Sequence, residues 1–203
     1  TFIGWGTAPG GPVVYADGAV YSFAADVTLY AQWTPVGNAL RFDGTNDYVS
    51  VPNNTALNIS GPITIEAWVY ATKSTGIQSV VSKSSIANNN SYIFPRTDNG
   101  WNNFIVYFHI GGGWVTLSAP YGGLNQWHHL AATGDGTSMR IYFDGALAGV
   151  ASFTTANYGS SIYTFNVGGN GVFDPPGSSQ FFNGKIDEVV FYTNALTATQ
   201  IAT

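Results

Sequence analysis

The chain contains no cysteine and very little charge, and both absences limit what the protein can be. The lack of cysteine excludes disulfides and fits either a cytosolic protein or a bacterial secreted one. Only 8% of the 203 residues are charged, and six Lys plus Arg against eleven Asp plus Glu give a net charge of −5. Because nucleic acids and anionic membranes are recognised by clustered positive charge, neither is an expected partner.

Long apolar runs are also missing. No stretch approaches the roughly 18 apolar residues that a membrane span requires, and no signal peptide is recognisable. The polar residues are mostly Ser, Thr, Asn and Gly, a composition typical of exported bacterial β proteins. We therefore expect an extracellular or bacterial cell-surface location and interpret the chain as an interior piece of a longer protein.

The chain is rich in aromatic residues and glycine. It has 13 Phe, 12 Tyr, 6 Trp and 25 Gly, with short apolar runs separated by turn residues. In "ITIEAWVY", Ile63 and Ile65 alternate with Glu66 and Trp68, as in a strand with two different faces. From Ala39 onward about twelve such runs predict an all-β fold, a two-sheet antiparallel jelly-roll sandwich. Only "NALTATQIA" near the C-terminus is predicted to be helical.

Residues 1–36 differ from the rest and form a predicted module of their own. Phe2, Gly4, Trp5 and the closing "TLYAQWTP" resemble the second half of a Listeria–Bacteroides repeat. The resemblance implies a small extracellular β module that serves as a spacer in bacterial surface proteins. Trp5 and Trp33 are then expected to form its small core.

Residues 38–203 carry a second resemblance. The blocks "ALRFDGTNDYVSVP", "ITIEAWVY", "WHHLAATGDGTSMRIYFDGALAG" and "FFNGKIDEVVFYTNALTATQIA" occur in the order seen in laminin-G-like, concanavalin A-like jelly-roll domains. The resemblance is specific for the fold. It does not fix an activity, because one fold supports many functions.

The turn "DGTND" concentrates carboxylates in a charge-poor chain, which favours compensation by a cation. In laminin-G-like domains a structural calcium ion often joins the first and last strands, and that resemblance implies Asp43, Asn46 and Asp187 as Ca²⁺ ligands. The alternative is an Asx-turn with solvated aspartates.

No catalytic motif is recognisable, and we expect a protein that is not an enzyme. A retaining glycosidase needs two carboxylates about 5 Å apart, and the only glutamates are Glu66 and Glu188. A glycosidase that uses these two glutamates is the remaining enzymatic hypothesis, and it is not favoured. His128 and His129 are adjacent on a predicted strand, point to opposite faces and cannot chelate one ion.

Aromatic residues in glycine- and asparagine-rich segments indicate a ligand surface. Sugar rings stack on exposed aromatic side chains, while polar side chains bind the hydroxyl groups. The alternation in "NFIVYFHI" places Tyr107 and His109 opposite a core-facing side. The predicted ligand residues are Arg96, Trp101, Tyr107, His109 and Trp114, with Tyr121, Tyr158 and Phe173 as further loop aromatics. The alternative is that Trp101 and Trp114 cover the edge of the core.

These observations favour a non-catalytic, lectin-like module that binds a polysaccharide or glycan within a large bacterial secreted or surface protein, such as an adhesin. The alternative is a structural spacer or assembly unit that contacts neighbouring domains or chains instead of sugar.

Overall fold

The computed structural model describes residues 2–9, 11–22, 25–33, 38–58, 61–83, 92–98, 100–110, 113–153, 162–169 and 180–202. The chain divides into two compact units, Thr1–Asn38 and Ala39–Ile201.

Within its described residues, the first unit contains one short antiparallel pair of strands. Strand β1 (Phe2–Gly6) pairs with β2 (Tyr30–Trp33), and Trp5 also bridges to Tyr15. The ring of Phe2 meets the rings of Trp5 and Trp33 edge to face at 5.0 and 5.3 Å. Trp33 nevertheless remains 58% exposed, so the two tryptophans flank Phe2 without enclosing a core.

The second unit is a sandwich of two antiparallel sheets, which confirms the predicted fold class. Its strands are β3 (Leu40–Asp43), β4 (Val49–Val51), β5 (Ile63–Ala71), β6 (Gln78–Lys83), β7 (Tyr92–Thr97), β8 (Asn103–Ile110), β9 (Gly113–Pro120), β10 (His128–Gly134), β11 (Ser138–Phe143), β12 (Ala146–Ser152), β13 (Phe165–Val167) and β14 (Asn183–Tyr192). The first sheet has the order β12-β11-β10-β5-β14-β3 and the second the order β4-β13-β6-β7-β8-β9.

Helical structure is confined to two short segments within the described ranges. A 3₁₀ turn spans Thr55–Leu57, and the helix α1 (Ala198–Ile201) lies in the stretch predicted to be helical. Neither has the length and apolar character that crossing a bilayer would require.

The core lies between the two sheets and follows the alternation of the strands. Phe104, Val106 and Phe108 of β8 are fully buried, whereas Tyr107 and His109, at the alternate positions of the strand, are only half-buried. The outward-facing side chains of β8 therefore stand on a backbone that the packed core holds in place.

Candidate functional site

Four of the five predicted ligand residues lie together on the outer face of the second sheet. The ring of Trp114 meets those of His109 and Tyr107 edge to face, with centroids 4.8 and 6.0 Å apart. The guanidinium carbon of Arg96 lies 5.3 Å from the centre of the Tyr107 ring. We call the group formed by Arg96, Asp98, Tyr107, His109 and Trp114 the aromatic patch.

Strand pairing explains why three of these side chains meet. In the antiparallel register of β8 and β9, His109 lies directly opposite Trp114, and Tyr107 opposite Thr116. Directly opposed residues project from the same side of a sheet. Trp114 is 41% exposed, so its indole is accessible beside the two half-buried rings.

Arg96 reaches the patch through an irregularity in β7. The register of β7 and β8 shifts between Ile93 and Arg96, and Pro95 lies within that shift. Proline has no backbone N–H to donate to a ladder, so inside a sheet it is accommodated at bulges. The shift brings Arg96 opposite Ile105, next to Tyr107.

Asp98 is the member of the patch that the sequence prediction missed. One of its oxygens, Oδ1, lies 2.7 Å from Arg96 Nε, although the N–H is not aimed at the carboxylate, so the contact is an ion pair without a directed hydrogen bond. The other oxygen, Oδ2, accepts a hydrogen bond of 2.8 Å from the Tyr107 hydroxyl. Burial and this bond to Asp98 raise the pKa of Tyr107 to about 12.

His109 supplies an uncharged polar group. Burial lowers the pKa of its imidazole from the ordinary value, so the ring is neutral near pH 7. Its Nδ1 is buried and has no hydrogen-bond partner within the described part of the chain. The patch thus combines apolar ring surface with acceptors and donors for hydrogen bonds.

Trp101 does not belong to this surface, and its assignment as a ligand residue is corrected. It is 3% exposed, and its ring packs on Tyr121 at 4.8 Å and on Phe182 at 5.8 Å. Tyr121 is buried as well, while the loop aromatics Tyr158 and Phe173 lie outside the described residues. A buried indole cannot stack on a ligand.

Of the three predicted calcium ligands, Asp43 and Asn46 lie in one turn, but Asp187 lies apart from them. Asp43 pairs with Asn183 in β14, and Asp187 lies four positions further along that strand, about 13 Å away at the usual rise per residue. The ligands of one Ca²⁺ lie within about 5 Å of each other, so Asp43 and Asp187 cannot share an ion. No group of three or more His, Asp or Glu suited to a metal occurs in the described ranges.

The acidic turn itself has the Asx-turn geometry given as the alternative. Asp43 Oδ1 accepts the backbone N–H of Thr45 at 2.7 Å, and Asp47 Oδ2 accepts that of Asp43 at 3.0 Å. Calcium binding at this turn stays a prediction, without Asp187.

Glu66 is held in a polar network on the outer face of the first sheet. Tyr192 donates a hydrogen bond of 2.9 Å to Oε1, and His129 Nε2 lies 3.6 Å from Oε2. Burial raises the pKa of Glu66, but the contacts with His129 and Tyr192 outweigh it and the net pKa is lowered. A catalytic acid of a glycosidase needs a raised pKa, so this arrangement does not favour Glu66 in that role.

The two adjacent histidines point to opposite faces, as predicted. His128 is buried, with its ring against those of Tyr121 and Phe143, and its Nδ1 lies 2.8 Å from Asp144 Oδ2. His129 lies on the other face, beside Glu66 and Trp68.

In the described part of the chain, two antiparallel sheets of six strands each form a sandwich, the architecture of a jelly-roll domain. The chain belongs to the concanavalin A-like lectin/glucanases superfamily, because the Laminin_G_3 family model matches residues 43–202. This match confirms the resemblance of the second unit. It does not reach the first unit, whose Listeria–Bacteroides resemblance stays a prediction.

Solved structures of the same fold include carbohydrate-binding modules. The Ruminococcus gnavus IT-sialidase CBM40 bound to α2,3-sialyllactose matches at 14% identity and a TM-score of 0.60, over 77% of this chain and 95% of that one. A second match is domain 4 of AbnA, a GH43 extracellular arabinanase from Geobacillus stearothermophilus, in complex with arabinotriose. Its sequence identity is 21% and its TM-score is 0.62, over 83% of this chain and 77% of that one.

A heptameric SAP-like pentraxin from Limulus polyphemus matches at 16% identity and a TM-score of 0.59, over 80% of this chain and 79% of that one. Identities this low show the fold alone. The search of curated proteins gave no match.

Proposed function

We propose that the second unit is a non-catalytic carbohydrate-binding module whose ligand contacts the aromatic patch. The observation that carries the proposal is the exposed indole of Trp114, fixed beside His109 and Tyr107 on the outer face of a packed sheet. Sugar C–H groups stack on such a ring, and the neighbouring oxygens and nitrogens pair with hydroxyl groups.

The comparisons support the same class of ligand. Two similar structures are carbohydrate-binding domains with sialyllactose and with arabinotriose, and both come from enzymes that act on glycans. By analogy with them, this chain is a binding module of a secreted or cell-surface bacterial protein, with a polysaccharide or glycan as partner.

A glycan array and a polysaccharide pull-down with the 203-residue chain test the proposal. Trp114→Ala should weaken retention by about 5- to 30-fold, the effect of losing one well-placed aromatic contact. Trp33→Ala is the matched control, because Trp33 is an exposed tryptophan of the first unit. Equal losses in the two variants, or none in Trp114→Ala, would contradict the proposed site.

One observation favours the second candidate function, a structural unit that contacts protein. The first unit exposes apolar side chains, with Trp33 of the two-stranded sheet at 58% and Val20, which lies outside the two strands, at 93%. Exposed strand edges are templates for pairing with another chain. Concentration-dependent self-association in light scattering, reduced by Trp33→Ser, would support this function, whereas a monomer at all concentrations would contradict self-assembly.

A further inference from the structure

We infer that the aromatic patch selects neutral sugars over sugars that carry a carboxylate or a sulfate. This inference rests on the proposed function and specifies its ligand class. It derives from the ion pair between Arg96 and Asp98 and from the scarcity of other cations on the second sheet.

The patch has no net charge near neutral pH. Arg96 and Asp98 carry opposite charges 2.7 Å apart, and the lowered pKa of His109 leaves that ring neutral. The only other Lys or Arg in the six strands of the second sheet is Lys83. Lys83 is fully buried and donates hydrogen bonds to Asn53 Oδ1 and to the carbonyl of Tyr163. It is therefore not available to an anionic ligand.

Arg96 is poorly placed to bind an acidic sugar. An arginine recognises a carboxylate or sulfate best when its planar fork is free to bind two oxygens. Here the guanidinium lies over the Tyr107 ring, and Asp98 occupies its Nε side. The side chain of Asp98 is 45% exposed, so an incoming anion would meet a like charge next to the cation.

The same groups suit hydroxyl groups. Asp98 offers carboxylate oxygens, and the hydroxyl groups of Thr116 and Ser118 belong to exposed residues of neighbouring β9. A sugar ring presents O–H donors around an apolar face, so it is complementary to hydrogen-bond acceptors that lie beside an exposed indole.

The experiment is a glycan array of matched pairs, each a neutral oligosaccharide and the same oligosaccharide carrying a sialic acid, a uronate or a sulfate. The 203-residue chain should retain the neutral members about two- to fivefold better, the size of effect that one partly exposed charge produces. A preference for the acidic members would overturn the charge selectivity alone. Retention of neither class would overturn the proposed function itself.

Asp98→Asn isolates the residue responsible. The amide oxygen can still accept the Tyr107 hydrogen bond, but the charge that neutralises Arg96 is gone. The acidic-to-neutral retention ratio should rise by about fivefold, and the gain should shrink in high salt. Asp187→Asn makes the same charge change on β14 in the first sheet and should leave the ratio unchanged. An unchanged ratio in Asp98→Asn would overturn the role of Asp98.

Discussion

The indole of Trp114 stands edge-on to the imidazole of His109, with the two ring planes at 86° and their centroids 4.8 Å apart. The two residues are directly paired across β8 and β9, so the sheet register holds this geometry. Because the imidazole is partly buried beside the indole, the charged form of His109 is disfavoured.

This burial predicts a pH dependence of stability. The folded state holds fewer protons on His109 than the unfolded state between the lowered pKa and the ordinary value of 6.5, so stability is lost as pH falls through that window. The ring contacts Trp114, and Tyr107 lies on the same face of β8, where it contacts Arg96 and Asp98. In His109→Asn the fall in melting temperature between about pH 7.5 and 5 should be smaller than in the wild type. Parallel curves for the two proteins would contradict the prediction.

Trp101 is predicted to act in stability and not in binding. Trp101→Ala should lower the free energy of unfolding by about 3–5 kcal/mol, because it leaves a cavity against Tyr121 and Phe182. Trp101→Phe should cost clearly less, since it keeps an aromatic ring and removes an N–H that has no hydrogen-bond partner in the described ranges. Urea denaturation measures both values. Equal costs would show that the buried ring is not the stabilising group.

Replacing Lys83 by alanine should lower the free energy of unfolding much more than replacing Lys185. Lys83→Ala leaves Asn53 Oδ1 and the Tyr163 carbonyl without this donor and should cost about 2–4 kcal/mol in urea denaturation. Lys185 is exposed and contacts the Tyr70 ring at 5.3 Å, so Lys185→Ala should cost less than about 1 kcal/mol. Similar costs would mean that the burial of Lys83 contributes nothing.

Calcium at the acidic turn is tested by thermal melting with calcium and with a chelator. We predict that calcium raises the melting temperature, because it binds the folded state. Asp43→Asn should remove this rise, and Asp187→Asn should preserve it, since Asp187 lies far along β14 from the turn. Identical melting curves with calcium and with chelator would contradict the prediction.

The fold and part of the patch follow from local alternation. Tyr107 and His109 are predictable as outward-facing because Phe104, Val106 and Phe108 are large apolar residues at every second position. Trp114 joins them because it follows closely along the chain and the next strand returns antiparallel.

The remaining site residues depend on register and loop packing, which alternation cannot supply. Strict alternation would put Arg96 on the side of Phe94, whereas the shift at Pro95 brings it to Tyr107. Asp98 joins the patch through the same shift. Because it follows Arg96 by two residues in an extended segment, the sequence could have placed it on the same face as Arg96. Trp101 lies in a polar segment that reads as an exposed turn, yet its indole folds back onto the core.

The five residues of the aromatic patch all come from the stretch 96–114, and across β8 they alternate with side chains that face the core. Under the proposed function, recognition and folding depend on different positions of the same short segment. Variation of the outward positions, with Phe104, Val106 and Phe108 retained, would then change the sugar preference without removing core side chains. A library of variants at these positions would be a route to engineered glycan binders.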